Sequence, residues 1–389
     1  MSTTPERYCL GGLMKDIDKE YNPKEVDYDI SKDETTYKSS QEQKFSSNDS
    51  TFSFPFPLNL FSPALDKQNF SNFQSQNNMN NIDESDPFSK YNILMSFNSQ
   101  RSTKILQKSL SESPKETIDK ILNELSGDFR MIVKNKNGNY FCTDLLKVCD
   151  KNQRIKILKE LSPTISEDCT DEFGTHPIQN LIELASSEEE YNLLLASFND
   201  LNRILMASLN QNGSYVIQKL IVHIPEKFRM EFNLMFVKFV CILSRDMFGV
   251  CTVKKFIGYT KNELIVKQIL NCILTNFVNI SGNQYGNYLI QYLLEKWWKT
   301  SEGVYLKKLI ISKFQVLASN HYSSYICDLF LKLCNTEEKK HLVSSLNNYK
   351  TINKNNNIKN KIPLCLNRIA NDLVDKKETK DINYNNSEK

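Results

Sequence analysis

Apolar residues recur three or four positions apart through most of the chain, from about residue 88 to residue 372. This spacing is typical of amphipathic helices, whereas the strict apolar–polar alternation of strands is scarce. Polar interruptions between the helical stretches are short. The pattern therefore predicts an all-α fold for residues 88–372.

The two ends of the chain lack this periodicity. Residues 1–87 are rich in Ser, Asn, Asp, Lys and Gln. Such a composition cannot bury enough apolar surface to offset the conformational entropy that folding removes. We therefore predict a disordered, low-complexity leader over residues 1–87 and a flexible tail over residues 373–389.

One segment of the leader differs from its surroundings. Residues 51–61 read TFSFPFPLNLF, with phenylalanines separated by single polar or proline residues. A segment of this kind suits docking into a groove of a partner protein. It is equally compatible with a low-complexity fragment, or with a strand packed on the chain's own helical part. The sequence leaves these three interpretations open.

One sequence line recurs six times within the helical part. Its copies are NKNGNYFCTDLL, DEFGTHPIQNLI, NQNGSYVIQKLI, DMFGVCTVKKFI, NQYGNYLIQYLL and NHYSSYICDLFL. The residue after the Gly, or after Ser323 in the last copy, serves as a marker, and successive markers lie 36, 39, 36, 37 and 37 residues apart. These markers are Asn139, Thr175, Ser214, Val250, Asn287 and Ser324. A step of 36 residues back from Asn139 reaches Thr103, where the sequence matches the line weakly. A step of 36 residues forward from Ser324 reaches Asn360, where the match is poor.

Each copy has the features of a turn that leads into a helix. An Asn or Asp stands three residues before the Gly or Ser in all six copies, where its side chain can accept from free backbone donors. The Gly permits close approach of neighbouring backbone. Two apolar pairs follow four residues apart, such as Leu289, Ile290, Leu293 and Leu294. Since no copy can bury this stripe alone, we predict a solenoid of about eight stacked repeats.

Three positions of each copy point away from the stripe. In the copy at 287 they are Asn287, Tyr288 and Gln291. Asn287 and Gln291 are four residues apart and share one helix face, with Tyr288 beside them. Two amides can bond the edge of a nucleobase while a flat ring stacks on its face. Related triplets at a constant period therefore indicate a surface that holds RNA bases.

On these residues the sequence resembles the Pumilio (PUF) family of RNA-binding repeat proteins over roughly residues 90–370, with specific motifs in six of eight repeats. The resemblance implies a curved right-handed α-solenoid that holds one base per repeat, with the chain antiparallel to the RNA. It also implies that Asn with Gln favours uracil, that Ser or Cys with Gln favours adenine, and that Ser with an acidic residue favours guanine.

Three triplets resemble family patterns for a particular base. They are Asn287, Tyr288 and Gln291 for uracil; Ser324, Tyr325 and Asp328 for guanine, with Asp in place of the usual Glu; and Ser214, Tyr215 and Gln218 for adenine.

Four triplets depart further from the family patterns. They are Thr175, His176 and Gln179; Asn139, Tyr140 and Thr143; Val250, Cys251 and Lys254; and Thr103, Lys104 and Gln107. The last repeat, with Pro363 and Leu364, is expected to cap the array without reading a base. The resemblance thus implies a UGU-like element with a 5′-G-U core, followed after one loose position by a preference for A.

Charge and chemistry narrow the functional class. The net charge of the chain is +3. The leader has 8 basic and 15 acidic residues, a balance of −7, so the rest of the chain has a balance of +10. A basic helical part of this kind permits a nucleic-acid partner. The ten cysteines include no Cys-x-x-Cys pair, so we expect no metal site, and Cys142 and Cys327 occupy apolar helix positions typical of buried thiols. The four histidines form no HExxH motif, and no phosphate-binding loop or nucleophile motif is present, so we expect neither an enzyme nor a cofactor.

These observations lead to one functional expectation and two alternatives. We expect a monomeric, cytoplasmic protein that binds single-stranded mRNA selectively, in 3′ untranslated regions, and regulates mRNA stability or translation. Protein partners are expected at residues 51–61 or at the polar connection 347–360, and no membrane segment is expected. The alternatives are a nucleolar, Pumilio-like RNA binder in ribosome assembly, and a protein-binding scaffold of helical repeats.

Overall fold

A computed structural model of the chain describes residues 86–340 and residue 342. The predicted leader before residue 86, the last repeat and the tail lie outside the described residues, as do the segments 51–61 and 347–360. The domain boundaries at residues 87 and 372 therefore remain predictions.

All regular structure in the described part is helical. The α-helices are α1 Lys90–Ser96, α2 Gln100–Ser111, α3 Lys115–Glu124, α4 Phe129–Val133, α5 Gly138–Val148, α6 Lys151–Leu161, α7 Ile165–Asp168, α8 Thr175–Leu184, α9 Glu188–Ala196, α10 Leu201–Leu209, α11 Gln211–His223, α12 Met230–Phe236, α13 Val240–Leu243, α14 Gly249–Tyr259, α15 Glu263–Thr275, α16 Phe277–Ser281, α17 Gly286–Trp297, α18 Ser301–Ser319 and α19 Ser324–Leu333. A 3₁₀ helix, Val237–Phe239, joins α12 to α13. Within residues 86–340 we find no helix with both the length and the apolarity that crossing a membrane requires.

Seven helices form the set that we call the repeat helices; six carry the recurring sequence line and α2 carries its weak match at Thr103. They are α2, α5, α8, α11, α14, α17 and α19. Each packs on the next in chain order, so they form one continuous row. This row is the stacking that the 36–39 residue period predicts.

A second set of helices packs behind this row, and we call them the backing helices. They are α3, α6, α9, α12, α15 and α18. Contacts link α3 to α6, α6 to α9, and α15 to α18. A short helix lies between most backing helices and the next repeat helix, except that α18 runs unbroken for 19 residues.

The turn that starts each repeat helix closes in the same way in six repeats. One side-chain oxygen of the Asn or Asp accepts from the backbone N–H groups of the second and third residues after it, at 2.7–3.1 Å. These residues are Asn135, Asp171, Asn210, Asp246, Asn283 and Asn320. The predicted role of this position is therefore confirmed.

The glycine that ends the turn lies against the backbone of the preceding short helix. A Cβ atom on Gly138, Gly174, Gly213 or Gly249 would lie 2.5–2.8 Å from the carbonyl oxygen of the residue six positions earlier. A Cβ atom on Gly286 would likewise meet the carbonyl oxygen of Ile280, six positions earlier. The recurring line has Ser323 here in its last copy. Its hydroxyl donates to the carbonyl oxygen of Leu317, also six residues earlier, at 2.7 Å.

The apolar stripe of each repeat helix is buried between neighbours. Leu289, Ile290, Leu293 and Leu294 are no more than 1% exposed. Cys142 and Cys327 are fully buried within the same stripe of their own helices, as the sequence predicts. Burial raises the pKa of the Cys142 thiol, which keeps it neutral.

Ion pairs connect successive backing helices. Three exposed pairs lie at N–O distances of 2.6–3.5 Å and join Lys115 to Asp150, Lys156 to Asp119, and Lys159 to Glu189. Each contributes little to stability because water screens it. They show, however, that Lys115, Lys156 and Lys159 each have an acidic partner.

We predict that Gly213→Ala lowers the free energy of unfolding by about 1–3 kcal/mol, because its Cβ would lie 2.5 Å from the carbonyl oxygen of Ala207. The matched control is Gly258→Ala on an exposed part of α14, where the nearest atom lies 3.4 Å away. Urea unfolding of both variants checks the prediction. An equal loss in both, or none at Gly213, would show that the close approach does not hold the turn.

Candidate nucleic-acid interface

Four tyrosines project from the second position of their repeat helices. Tyr140, Tyr215, Tyr288 and Tyr325 are 56, 50, 48 and 50% exposed. The residue before each of them faces the turn, and Asn139, Ser214 and Asn287 are buried. Because the turn has the same geometry in each repeat, these rings occupy equivalent places along the row. We call them the ring column.

The first position of each triplet is held against its own turn. The side-chain N–H groups of Asn287 donate to the carbonyl oxygens of Asn283 and Gln284 at 3.0 and 2.9 Å. Asn139 makes the corresponding bonds to Asn135 and Lys136 at 2.9 and 2.8 Å. Both donors of each amide are thereby used. The side-chain oxygen is the atom that each Asn presents to the third position.

Ser214 and Ser324 are held in a similar way by their hydroxyl groups. They donate to the carbonyl oxygens of Gln211 and His321 at 3.0 and 2.7 Å. A serine at this position leaves more room beside the ring than an asparagine does.

The third position is joined to the first in two repeats. Gln291 Nε2 donates to Asn287 Oδ1 at 2.9 Å, and Gln179 Nε2 donates to Thr175 Oγ1 at 3.0 Å. Each glutamine is thus oriented, and within residues 86–340 no group bonds its Oε1 or its second N–H, so both can meet a ligand. The predicted pairing of these positions on one helix face is present in the structure.

The repeat at 139 differs at the third triplet position, where Thr143 replaces the glutamine. Thr143 donates to the backbone carbonyl oxygen of Asn139 at 2.9 Å. The side-chain oxygen of Asn139 is buried and accepts no hydrogen bond from the described residues. No glutamine fills this role as Gln291 does for Asn287, so this buried acceptor is left without a donor from the described residues.

The repeat at 250 interrupts the ring column. Neither Val250 nor Cys251 has a ring; Val250 is buried and Cys251 is half-buried. The Nζ atom of Lys254 lies 5.1 Å from the centre of the Tyr292 ring in the next repeat helix. Burial lowers the pKa of Lys254, and the nearby side chains of Cys251 and Glu295 offset part of this effect.

The repeat at 103 is occupied by contacts within the protein. Gln107 Nε2 donates to Asp144 Oδ2 at 2.5 Å and to the carbonyl oxygen of Tyr140 at 3.3 Å. Thr103 is buried and donates to the carbonyl oxygens of Ser96 and Ser99. Of this triplet, Lys104 alone is exposed. The contact with Asp144 is a feature that the sequence analysis missed, although Asp144 directly follows Thr143 in the recurring line.

The repeat at 324 contains a second ring beside Tyr325. The ring of His321 lies edge-on to Tyr325, with centroids 5.8 Å apart and an interplanar angle of 73°. Asp328 is half-buried one turn after Ser324. The sequence analysis did not single out His321 as part of this site; its place in the turn before Ser324 was the available signal.

Comparison with protein families agrees with this architecture. A model described as the Pumilio-family RNA binding repeat matches residues 104–126, 129–162, 203–231 and 276–297. The chain is thus similar to the Pumilio family over four segments. The matched segments contain α5, α11 and α17, and the unmatched α8, α14 and α19 lie in the same row with the same turns.

The curated relatives of this chain are distant and longer. Pumilio homolog 12 of Arabidopsis thaliana is 26% identical over 260 residues, which covers 64% of this chain and 42% of the relative. Suppressor protein MPT5 of Saccharomyces cerevisiae is 22% identical over 275 residues, which covers 64% of this chain and 32% of the relative. The chain therefore spans less than half the length of these curated relatives.

Solved structures show the same fold. The Puf4 RNA binding domain bound to the HO endonuclease RNA 3′ UTR recognition sequence has a TM-score of 0.60 at 20% identity, covering 69% of this chain and 81% of that domain. The RNA-binding domain of yeast Puf5p bound to SMX2 RNA has a TM-score of 0.62 at 18% identity, covering 74% and 84%. The predicted all-α helical-repeat solenoid is thus confirmed. The expectation of a non-enzyme is confirmed as well, because family and fold are those of RNA-binding repeat proteins.

We predict that Lys254→Met raises the free energy of unfolding at pH 7, because burial disfavours the charged ammonium. A lysine whose folded pKa is lowered binds fewer protons in the folded state, so the wild-type protein gains stability as pH rises toward the usual lysine pKa. The advantage of Lys254→Met should therefore shrink between pH 7 and pH 10 in urea unfolding.

Lys255→Met is the control, since Lys255 is exposed on the same helix. An advantage for Lys254→Met that stays constant with pH, or a loss of stability at pH 7, would contradict this reasoning.

Proposed function

We propose that the chain binds single-stranded RNA along its row of repeat helices and selects bases one repeat at a time. The observation that carries this proposal is the ring column, in which half-exposed tyrosines recur beside polar groups already oriented by hydrogen bonds. A protein-binding scaffold would explain the period of the repeats. It gives no reason for ring and oriented amide to recur together.

The rings supply affinity in this proposal. A nucleobase has a flat face that can stack on tyrosine, and stacking contributes about 1–3 kcal/mol per base. Stacking alone tolerates any base. Selectivity therefore depends on the first and third positions of each triplet.

The edge groups supply selectivity. At the repeat of Asn287, the free Oε1 of Gln291 can accept from uracil N3–H, and its second N–H can donate to a uracil carbonyl oxygen. At the repeat of Ser324, the carboxylate of Asp328 can accept from the N1–H and N2–H₂ donors of guanine. The small Ser214 beside Gln218 suits adenine, as the family pattern implies.

We infer from these sites a UGU-like element with a 5′-G-U core, followed after one position by a preference for A. We further propose that the targets are mRNA 3′ untranslated regions and that binding regulates mRNA stability or translation in the cytoplasm. The Puf4 domain, in its solved complex, is bound to a 3′ UTR recognition sequence, which supports this choice of target. We also propose that the protein is a monomer and that protein partners bind at residues 51–61 or 347–360.

A second candidate is RNA binding with little base selectivity, as in the nucleolar alternative. It is favoured by the repeats at 103 and 250, where the ring is missing and Gln107 is committed to Asp144. Titration of the chain with short RNAs that contain or lack the G-U core separates the candidates. The proposed function predicts a preference for the core, equal affinities support the second candidate, and no binding to any RNA contradicts both.

We predict that Tyr288→Ala weakens binding of the core RNA about tenfold or more, because it removes the stacking surface for one base. Tyr288→Phe keeps the ring and should bind nearly as the wild type does. Tyr259→Ala is the control, since Tyr259 is 45% exposed at the far end of α14, outside the ring column. Fluorescence anisotropy measures all three, and equal losses at Tyr288 and Tyr259 would remove the ring column from the interface.

We predict that Asp328→Asn shifts the preference at its position away from guanine, because the amide replaces one acceptor oxygen with a donor. The measurement compares four RNAs that differ only at this base. Asp328→Glu should retain guanine, since it keeps the carboxylate. An unchanged order of the four RNAs in Asp328→Asn would show that this carboxylate does not read the base.

A further inference from the structure

Three cations line one face of the first repeat helix. Arg101, Lys104 and Lys108 are spaced three and four residues apart on α2, and all three are exposed. Together with Gln100 and Ile105 they line a shallow surface groove. We call the three cations the basic stripe.

The basic stripe has no acidic partner among the described residues. Lys115, Lys156 and Lys159 of the backing helices are paired with acids of neighbouring repeats, whereas Arg101, Lys104 and Lys108 form no ion pair with the described residues. Like charges at these spacings destabilise a helix. Three adjacent cations without an acidic partner offer a place for a negatively charged ligand.

The acids nearest to the stripe do not neutralise it. Asp144 lies beside Lys108 in the adjoining groove. One of its oxygens accepts from Gln107 and the other pairs with Lys147 at 2.8 Å. Glu112 follows Lys108 by one turn, past the end of α2, and forms no ion pair with it.

The middle residue of the stripe occupies the place that a ring holds in the next repeat. Lys104 stands at the second triplet position, which corresponds to Tyr140 in the next repeat helix. Since Gln107 is committed to Asp144, this helix presents neither a ring nor a free amide. It can attract the RNA backbone, yet it lacks the groups that distinguish bases.

We propose that the basic stripe is a phosphate-binding site, where Arg101, Lys104 and Lys108 hold the sugar–phosphate backbone of the RNA as it runs past the base-reading repeats. This inference rests on the proposed RNA binding and adds a sequence-independent extension to it. Phosphodiester oxygens suit these residues because both ammonium and guanidinium groups bind them by charge and hydrogen bonding. The alignment of Lys104 with the ring column favours RNA over an acidic protein segment.

The test uses the full chain and measures RNA affinity against salt concentration. The variant carries Arg101→Gln, Lys104→Gln and Lys108→Gln, since glutamine keeps good helix propensity. The control carries Lys115→Gln, Lys156→Gln and Lys159→Gln on the backing helices, which changes the net charge equally. The RNAs are the core element alone, and the core extended by four uridines at its 3′ end or at its 5′ end.

Because the chain is expected to lie antiparallel to the RNA, the 3′ extension passes the repeats at 175 and 139 before it reaches α2. The proposal predicts that this extension strengthens binding by the wild type and the control more than binding by the stripe variant, whereas the 5′ extension affects all three proteins equally. For the extended RNA, the slope of log affinity against log salt should fall in magnitude by about 2, because each phosphate on a single strand contributes about 0.7. Binding of the unextended core and its base preference should be retained in the stripe variant.

Three results would overturn the proposal. The first is an equal gain from the extension in the wild type and the stripe variant, and the second is a loss of slope in the control as large as that in the stripe variant. Tighter core binding by the stripe variant, without any gain from extension in the wild type, would assign the stripe to another occupant such as the acidic residues 1–87. Failure of all proteins to bind the core RNA would instead contradict the proposed function itself.

Discussion

The capture of two backbone N–H groups by one Asn or Asp oxygen is the interaction on which the rest of the structure depends. It closes the turn before six repeat helices with nearly the same distances. The glycine that follows then lies against a carbonyl oxygen of the preceding short helix, which fixes where the repeat helix begins. Once that start is fixed, the helical period determines which side chains enter the core and which face the ligand.

The same turn orients the groups that meet the RNA. Asn287 uses both side-chain donors on its own turn, so its oxygen is left to hold Gln291, and Tyr288 projects between them. Reading groups prepared in this way lose little conformational freedom on binding. At the third triplet position, Gln107 bonds to Asp144 and Lys254 stands in place of a glutamine. Both helices remain in the row, but the groups that they offer to a base are different. Divergence in this chain therefore alters individual sites without altering the scaffold.

The sequence predicts well what is local and periodic. The turn acceptors, the buried stripe and the shared face of Asn287 and Gln291 follow from spacings of three and four residues, and the structure contains them. Contacts between residues about 37 apart were not predictable, because they depend on how neighbouring helices pack. The bond from Gln107 to Asp144 and the placement of Lys254 over Tyr292 are of this kind. The bond from Ser323 to Leu317 also required the backbone geometry of the turn, since a serine in place of glycine gives no sign of it in sequence.

The central claim is that successive repeat helices hold successive bases, and photo-crosslinking maps this directly. RNAs carrying the core element would each contain a single 4-thiouridine, moved by one nucleotide from one RNA to the next, and mass spectrometry would identify the crosslinked peptide. The account predicts crosslinks on the ring-bearing face that move by one repeat, 36–39 residues, with each nucleotide. Crosslinks that stay in one place, or that fall on the backing helices, would contradict it.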